Sequence, residues 1–259
     1  SSGSDNTAVG YNALDHNTTG TQNTATGAGS LVFNQSGNGN TANGWQALQY
    51  NSTGSNNTAT GGQALFSNTT GYGNTANGFA SLVSSTTGFY NTAMGLQTLY
   101  FNTTGAHNTA IGVFAMNSNI SGSSNTAVGM SSLLENSDGN YNTANGNNAL
   151  YNNINGDENT AIGYRALYSN TQSKNTAAGC RALFGNTTGV VNTAIGYKAL
   201  SGNTTGNHNT ASGNEALHDN TSGQRNTASG STALHENETG NDNTANGFEA
   251  LYVNTTGTH

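Results

Sequence analysis

Proline is absent from this 259-residue sequence, only 7% of its residues are charged, and it has a single cysteine, Cys180. A globular chain of this length ordinarily carries about 13 prolines and is about a quarter charged, so a conventional domain is excluded. Intrinsic disorder fits no better, because disordered chains are typically rich in the charge and proline that are missing here. One thiol forbids any intrachain disulfide and leaves the redox compartment open. The five basic residues, Arg165, Lys174, Arg181, Lys198 and Arg225, are scattered against 12 acids, so no nucleic-acid partner is expected. No apolar run reaches 18 residues, and the opening SSGSDNTAVG has neither a basic nor an apolar segment. Neither a membrane span nor a signal peptide is expected.

What fills the chain is asparagine, threonine and glycine, 45, 39 and 36 residues respectively, arranged as a repeat. The tetrad N-T-A-x-G begins at Asn6, Asn23, Asn40, Asn57, Asn74, Asn91, Asn108, Asn125, Asn142, Asn159, Asn175, Asn192, Asn209, Asn226 and Asn243. Every spacing is 17 residues except the 16 between Asn159 and Asn175. The unit reads N-T-A-x-G-x-x-A-L-x-x-N-T-T-G-x-x, and its positions are numbered 1 to 17 below. Positions 1, 2, 3 and 5 never vary, and position 9 is Leu except at Met116. A period this short and regular implies a single solenoid array over residues 1–259 rather than separate domains.

Seventeen residues are too few for two packed helices, and Gly and Asn disfavour helix at many of them. The expected fold is therefore all-β, a parallel β-solenoid of fifteen coils stacking at about 4.8 Å into a rod of roughly 72 Å. Gly at position 5 and the N-T-T-G corner at positions 12 to 15 are expected to carry left-handed backbone at the turns. Leu at position 9, for example Leu14, Leu48, Leu167 and Leu251, and Ala at positions 3 and 8 should form the core throughout. Position 6 is often bulky (Tyr11, Trp45, Phe79, Tyr164, Tyr197, Phe248), which suits a half-buried or interface site. One Leu and two Ala bury little apolar surface per coil, so hydrogen-bond ladders, stacked Asn amides and burial against other chains must contribute. Coil ten lacks one residue and its corner Gly, which places a local defect at Thr171 to Lys174. Ser1 to Asp5 reads as the tail of an earlier unit, with Gly3 at the corner position. Neither end is a capping coil, which implies a longer array or head-to-tail stacking.

The segments NTAIGYRAL (Asn159 to Leu167), NTAIGYKAL (Asn192 to Leu200) and NTAVG (Asn6 to Gly10, Asn125 to Gly129) resemble the head repeats of trimeric autotransporter adhesins. Similar 17-residue repeats occur in fibre proteins that carry a self-cleaving chaperone domain. The resemblance implies a left-handed parallel β-roll that trimerises; no cofactor is expected. The adhesin heads use a shorter unit of roughly 14 residues built on S-V-A-I-G. Here Thr replaces its Val in every copy, and the N-T-T-G corner is added.

Four sets of residues carry candidate chemistry. The Thr column at position 2, from Thr7 to Thr244, could order water and bind ice. Its partner column at position 4 wanders (Val9, Thr26, Asn43, Met94, Ile111, Asn246), so a structural Thr with its hydroxyl satisfied inside the ladder is expected instead. Eleven corner asparagines, Asn17, Asn34, Asn51, Asn68, Asn102, Asn119, Asn186, Asn203, Asn220, Asn237 and Asn254, lie in N-x-S/T sequons, a possible line of glycans. They also read as turn-capping residues, since Asn136, Asn153 and Asn170 keep Asn and lose the sequon. His218 and His235 share position 10 of adjacent coils, followed by Asp219 and Glu236, and two His with two carboxylates could hold a metal. A surface His column without metal is the expected reading. The acids Asp138, Asp157, Glu158 and Asp242 lie at turns without the spacing of calcium-binding solenoids, and are expected to be solvated.

Catalytic signatures are missing: there is no G-x-S-x-G, H-E-x-x-H or P-loop, and Cys180 has no nearby His. Carboxylates are scattered rather than paired across a groove. The expectation is a structural or adhesive fibre segment, extracellular, at a cell surface or on a virion, that spaces or displays other domains and self-associates as a homotrimer or filament. Surface glycans are its expected contacts. The alternative is an ice- or glycan-binding β-solenoid.

Overall fold

A computed structural model describes residues 3–258. Ser1 and Ser2, which belong to the segment read as an earlier unit, lie outside the described residues, as does His259. The chain forms two compact units, one reaching Met130 and including Asn136–Asp138, the other comprising Ser131–Glu135 and the residues from Gly139 onward. Each unit is an all-β parallel solenoid. Its strands are the T-A-x tripeptides, from β1 (Thr7–Val9) to β8 (Thr126–Val128) in the first unit, and from β9 (Thr143–Asn145) to β15 (Thr244–Asn246) in the second.

Within each unit, consecutive strands pair in parallel and in register. Thr7 stands opposite Thr24 and Ala8 opposite Ala25 in the first unit, and Thr193 opposite Thr210 in the second. Alternation turns position 3 inward and positions 2 and 4 outward. Ala25, Ala42, Ala161 and Ala194 are fully buried, and so is every position-9 side chain from Leu31 to Leu234. The expectation of Leu burial throughout fails at two places: Leu14 is half-buried and Leu251 is 50% exposed. Each has a neighbouring coil packed over only one of its sides.

Left-handed backbone falls where expected at position 5, but not in the N-T-T-G corner. Gly at position 5 has φ between 121° and 147°, and a Cβ on Gly163 would stand 2.7 Å from the carbonyl oxygen of Gly179 in the next coil. The other positive φ values belong to positions 7, 9 and 17, including the buried leucines at 51° to 52° and even β-branched Val191 at 57°. Such conformations cost an L-residue about 1–2 kcal/mol. What they gain is alignment: with Leu31 turned this way, its N–H donates to Ala47 C=O at 2.9 Å, and Gln46 N–H donates to Ala28 C=O at 2.9 Å. Inter-coil hydrogen bonding thus runs far beyond the three-residue strands. The corner Gly serves packing instead, since a Cβ on Gly20 would lie 2.5 Å from both Asn17 Oδ1 and Asn34 Nδ2.

The shortened coil behaves as a tightened corner. Register is kept between β10 (Thr160–Ile162) and β11 (Thr176–Ala178), and the carbonyl of Gln172 takes the place of the missing Gly, accepting from Asn159 Nδ2 at 2.7 Å and Asn170 Nδ2 at 2.6 Å. At other corners two or three successive N–H groups converge on one carbonyl, as Thr204's accepts from Thr187, Thr188 and Gly189; here only Thr171 N–H reaches Thr187 C=O. Gly3 to Asp5 stack as positions 15 to 17 of a unit, with Gln22 N–H donating to Ser4 C=O and Asp5 at φ 59°.

Candidate functional site

Two asparagine ladders line each corner from the inside. At position 12, Asn203 Nδ2 donates to Asn186 Oδ1 at 2.7 Å and to Gly206 C=O at 3.0 Å. At position 1, Asn192 Nδ2 donates to the same Gly206 carbonyl at 2.8 Å, and its N–H donates to Asn175 Oδ1 at 2.9 Å. Nine of the eleven sequon asparagines (34, 51, 68, 102, 119, 186, 203, 220 and 237) are fully buried, whereas Asn17 and Asn254 are half-buried. A glycan bonds the Nδ2 atom. At the nine buried positions that atom faces the interior, and the folded coil has no room for a sugar there. Asn17 Nδ2 is likewise engaged, to Gly20 C=O at 3.0 Å. Sequence spacing alone cannot tell a surface sequon from a corner whose amide has turned inward.

The Thr column faces outward, and no position-2 hydroxyl among the described residues donates to a protein acceptor, contrary to the expectation of an internally satisfied ladder. It is the position-13 hydroxyls that are satisfied, such as Thr204 Oγ1 to Thr221 C=O at 2.9 Å. Position-4 side chains stand on the outward face of the strands, and position-6 side chains lie in the turn beyond the position-5 Gly. Both rows carry exposed apolar side chains: Met94, Leu96, Ile111, Val113 and Met130 in the first unit, and Ile162, Tyr164, Ile195 and Tyr197 in the second. The bulky position-6 residues of the inner coils are about half exposed, as with Trp45 at 54% and Tyr164 at 42%, and those of the end coils more so, with Tyr11 at 78% and Phe248 at 73%.

One surface cavity of about 320 Å³ opens in the first unit where small residues at positions 6 and 7, Ala28 and Gly29, separate the larger side chains of the neighbouring coils. Tyr11 and Trp45 line it together with Asn12, Asp15, Gln46 and Gln49. Gln49 Oε1 is buried and has no hydrogen-bond partner. The cavity wall therefore encloses an unpaired acceptor beside aromatic surface. Nothing in the repeat pattern announced it, because it depends on which two coils carry small residues.

Aromatic rings form short columns along the coils. Tyr151, Tyr168 and Phe184 stack at 5.1 and 5.4 Å, and burial, aided by Tyr168 and Glu135, pushes the Tyr151 phenol above its ordinary pKa. His218, His235 and Tyr252 stack more nearly parallel, each pair 4.9 Å apart. Asp219 bonds His218 Nδ1 at 2.6 Å. Of the turn acids Asp138, Glu158 and Asp242 are exposed as expected and Asp157 is half-buried; Asp157 Oδ1 accepts from Asn140 N–H at 2.7 Å, Asp138 Oδ1 accepts from Ser121 Oγ at 2.6 Å, and Asp242 pairs with Arg225 through two bonds of 2.6 and 2.7 Å. Cys180 is half-buried and free. No helix among the described residues is long and apolar enough to cross a membrane.

Comparison with known families and with curated proteins finds no match for this chain.

Proposed function

We propose that the chain is a structural and adhesive fibre segment, at a cell surface or on a virion, that spaces or displays other domains and associates with copies of itself along the outward face of its strands. The observation that carries this is the run of exposed aliphatic side chains at positions 4 and 6 of coils six to eight, where Met94, Leu96, Ile111, Val113 and Met130 stand 37% to 50% exposed. Water-exposed aliphatic side chains in successive coils favour a partner with the same repeat, and a homotrimer is the assembly expected from the adhesin-like units. Sedimentation equilibrium of the purified chain tests it. A trimer that dissociates on Ile111→Asp is the expected result, and a monomer at all concentrations would refute self-association by this chain.

A second reading, glycan binding along the side of the fibre, rests on the cavity beside Tyr11 and Trp45. Gln49 Oε1 lacks a donor in the cavity wall, and a sugar would supply hydroxyl donors once the amide turned outward, together with an apolar face that suits an aromatic ring. Trp45 is the only tryptophan in the chain, so its fluorescence reports this site alone. A saturable change on titration with oligosaccharides, abolished by Gln49→Ala, is expected. Ice binding is the weaker form of the alternative: the Thr hydroxyls are free to hold water, but position 4 provides no second Thr rank. Thermal hysteresis in solutions of the chain would revive it.

A further inference from the structure

We infer that His218, Asp219 and His235 form a binding site for a borderline divalent metal ion, with zinc as the ion to test. This is independent of the fibre reading, and it departs from the sequence expectation of a plain surface His column. Among the described residues this is the only group of three His, Cys, Asp or Glu side chains that gathers one ligand atom from each within 4.8 Å of one another.

The fold holds these residues in place. Register between β13 (Thr210–Ser212) and β14 (Thr227–Ser229) sets the two histidines one coil apart. Their rings lie 4.9 Å apart with only 4° between planes, and Tyr252 covers the other face of His235 at 4.9 Å. Both imidazoles turn the same nitrogen toward one carboxylate. His218 Nδ1 is 2.6 Å from Asp219 Oδ1, and His235 Nδ1 is 3.6 Å from Asp219 Oδ2.

The deciding feature is that His235 Nδ1 is buried and has no hydrogen-bond partner. A proton on His218 Nδ1 satisfies only the first contact, and 3.6 Å is too long for the second to count as a hydrogen bond. A cation between the three groups would satisfy both nitrogens and the carboxylate at once. Two imidazoles and one carboxylate suit zinc, with Zn–N and Zn–O distances of about 2.0–2.2 Å and the fourth position left to water. Calcium and magnesium prefer all-oxygen shells, so they are poor candidates. Because lone pairs lie in the ring planes, parallel rings cannot both point at one ion. Binding must therefore tilt His218 and His235 toward each other. His218 and Asp219 are 25% and 45% exposed, so an ion can enter from solvent.

The test uses the whole chain without a polyhistidine tag. Zinc chloride alone is titrated calorimetrically, and cobalt(II) is titrated with the visible absorption of a four-coordinate ion as readout. One ion per chain is expected, with affinity falling at least tenfold in both Asp219→Asn and His235→Ala. His107→Ala should leave binding unchanged. Asp219→Asn preserves side-chain shape at a partly exposed position, so it separates loss of a ligand from loss of the fold. Zinc should also raise the melting temperature of the parent chain and not that of either variant. Absence of stoichiometric binding would overturn the site, as would binding retained by either variant.

Discussion

Position 12 contains one natural error whose repair is calculable. In coil five it is Ser85 rather than Asn, and the consequence spreads to both neighbours. Ser85 Oγ and Asn68 Oδ1 are both buried without a partner, because the short hydroxyl cannot reach where an amide would. Ser85→Asn should restore three bonds seen at intact positions: donation to the preceding Asn Oδ1, as from Asn68 to Asn51 at 2.7 Å; donation to the corner carbonyl, as from Asn68 to Gly71 at 3.0 Å; and acceptance from the next Asn, as Asn102 accepts from Asn119 at 2.7 Å. A net bond contributes about 1 kcal/mol, and a buried orphan costs about 1–3 kcal/mol. Set against about 1 kcal/mol for fixing the longer side chain, the gain should be about 2 kcal/mol or more. For a chain of this size that raises the melting temperature by about 4–8 °C. The reciprocal change, Asn203→Ser at an intact site, should lower it by a similar amount. Circular dichroism melts read both. If Ser85→Asn melts at or below the parent temperature while Asn203→Ser is silent, the amide ladder does not hold the corner and the reasoning fails.

Gly163→Ala and Gly247→Ala impose similar backbone strain, with φ of 125° and 129°, but only the first drives a Cβ into the next coil. Gly247→Ala should cost about 1–3 kcal/mol, and Gly163→Ala at least about 2 kcal/mol more through overpacking and broken ladder bonds; equal urea midpoints and slopes would contradict this. Inserting Gly between Gln172 and Ser173 should restore the convergent corner bonds around Thr187 and stabilise by about 1–2 kcal/mol, visible as slower hydrogen exchange at the corner amides. The Tyr151 phenol has its pKa raised on folding, chiefly by burial. Its contribution is therefore complete below the ordinary value of 10.0 and is lost as pH rises through the higher folded value. Tyr151→Phe should unfold less readily than the parent in alkaline denaturant melts above about pH 10, with the difference vanishing at neutral pH.

Much of the architecture was legible in the residue order because a repeat of fixed period admits few arrangements. When each unit pairs with the next, identical residues must superpose, so Thr over Thr, Ala over Ala and Leu over Leu follow from spacing alone. Side-chain size then assigns Ala and Leu to a narrow interior, and the 16-residue unit marks its own defect. Tertiary structure decided what depends on torsion angles and on the identity of one neighbour. Turn propensity pointed to the N-T-T-G corner for left-handed backbone, yet the leucines carry it, because only that conformation aligns their N–H groups with the carbonyls of the next coil. The sequons left both a glycan line and a turn-capping amide open, and the amides prove to be turned inward onto the corner carbonyl. Two histidines one unit apart say nothing about which nitrogen each presents. The reach of Asp219 to both, and the missing partner of His235 Nδ1, exist only once the coils have stacked and fixed the side-chain rotamers.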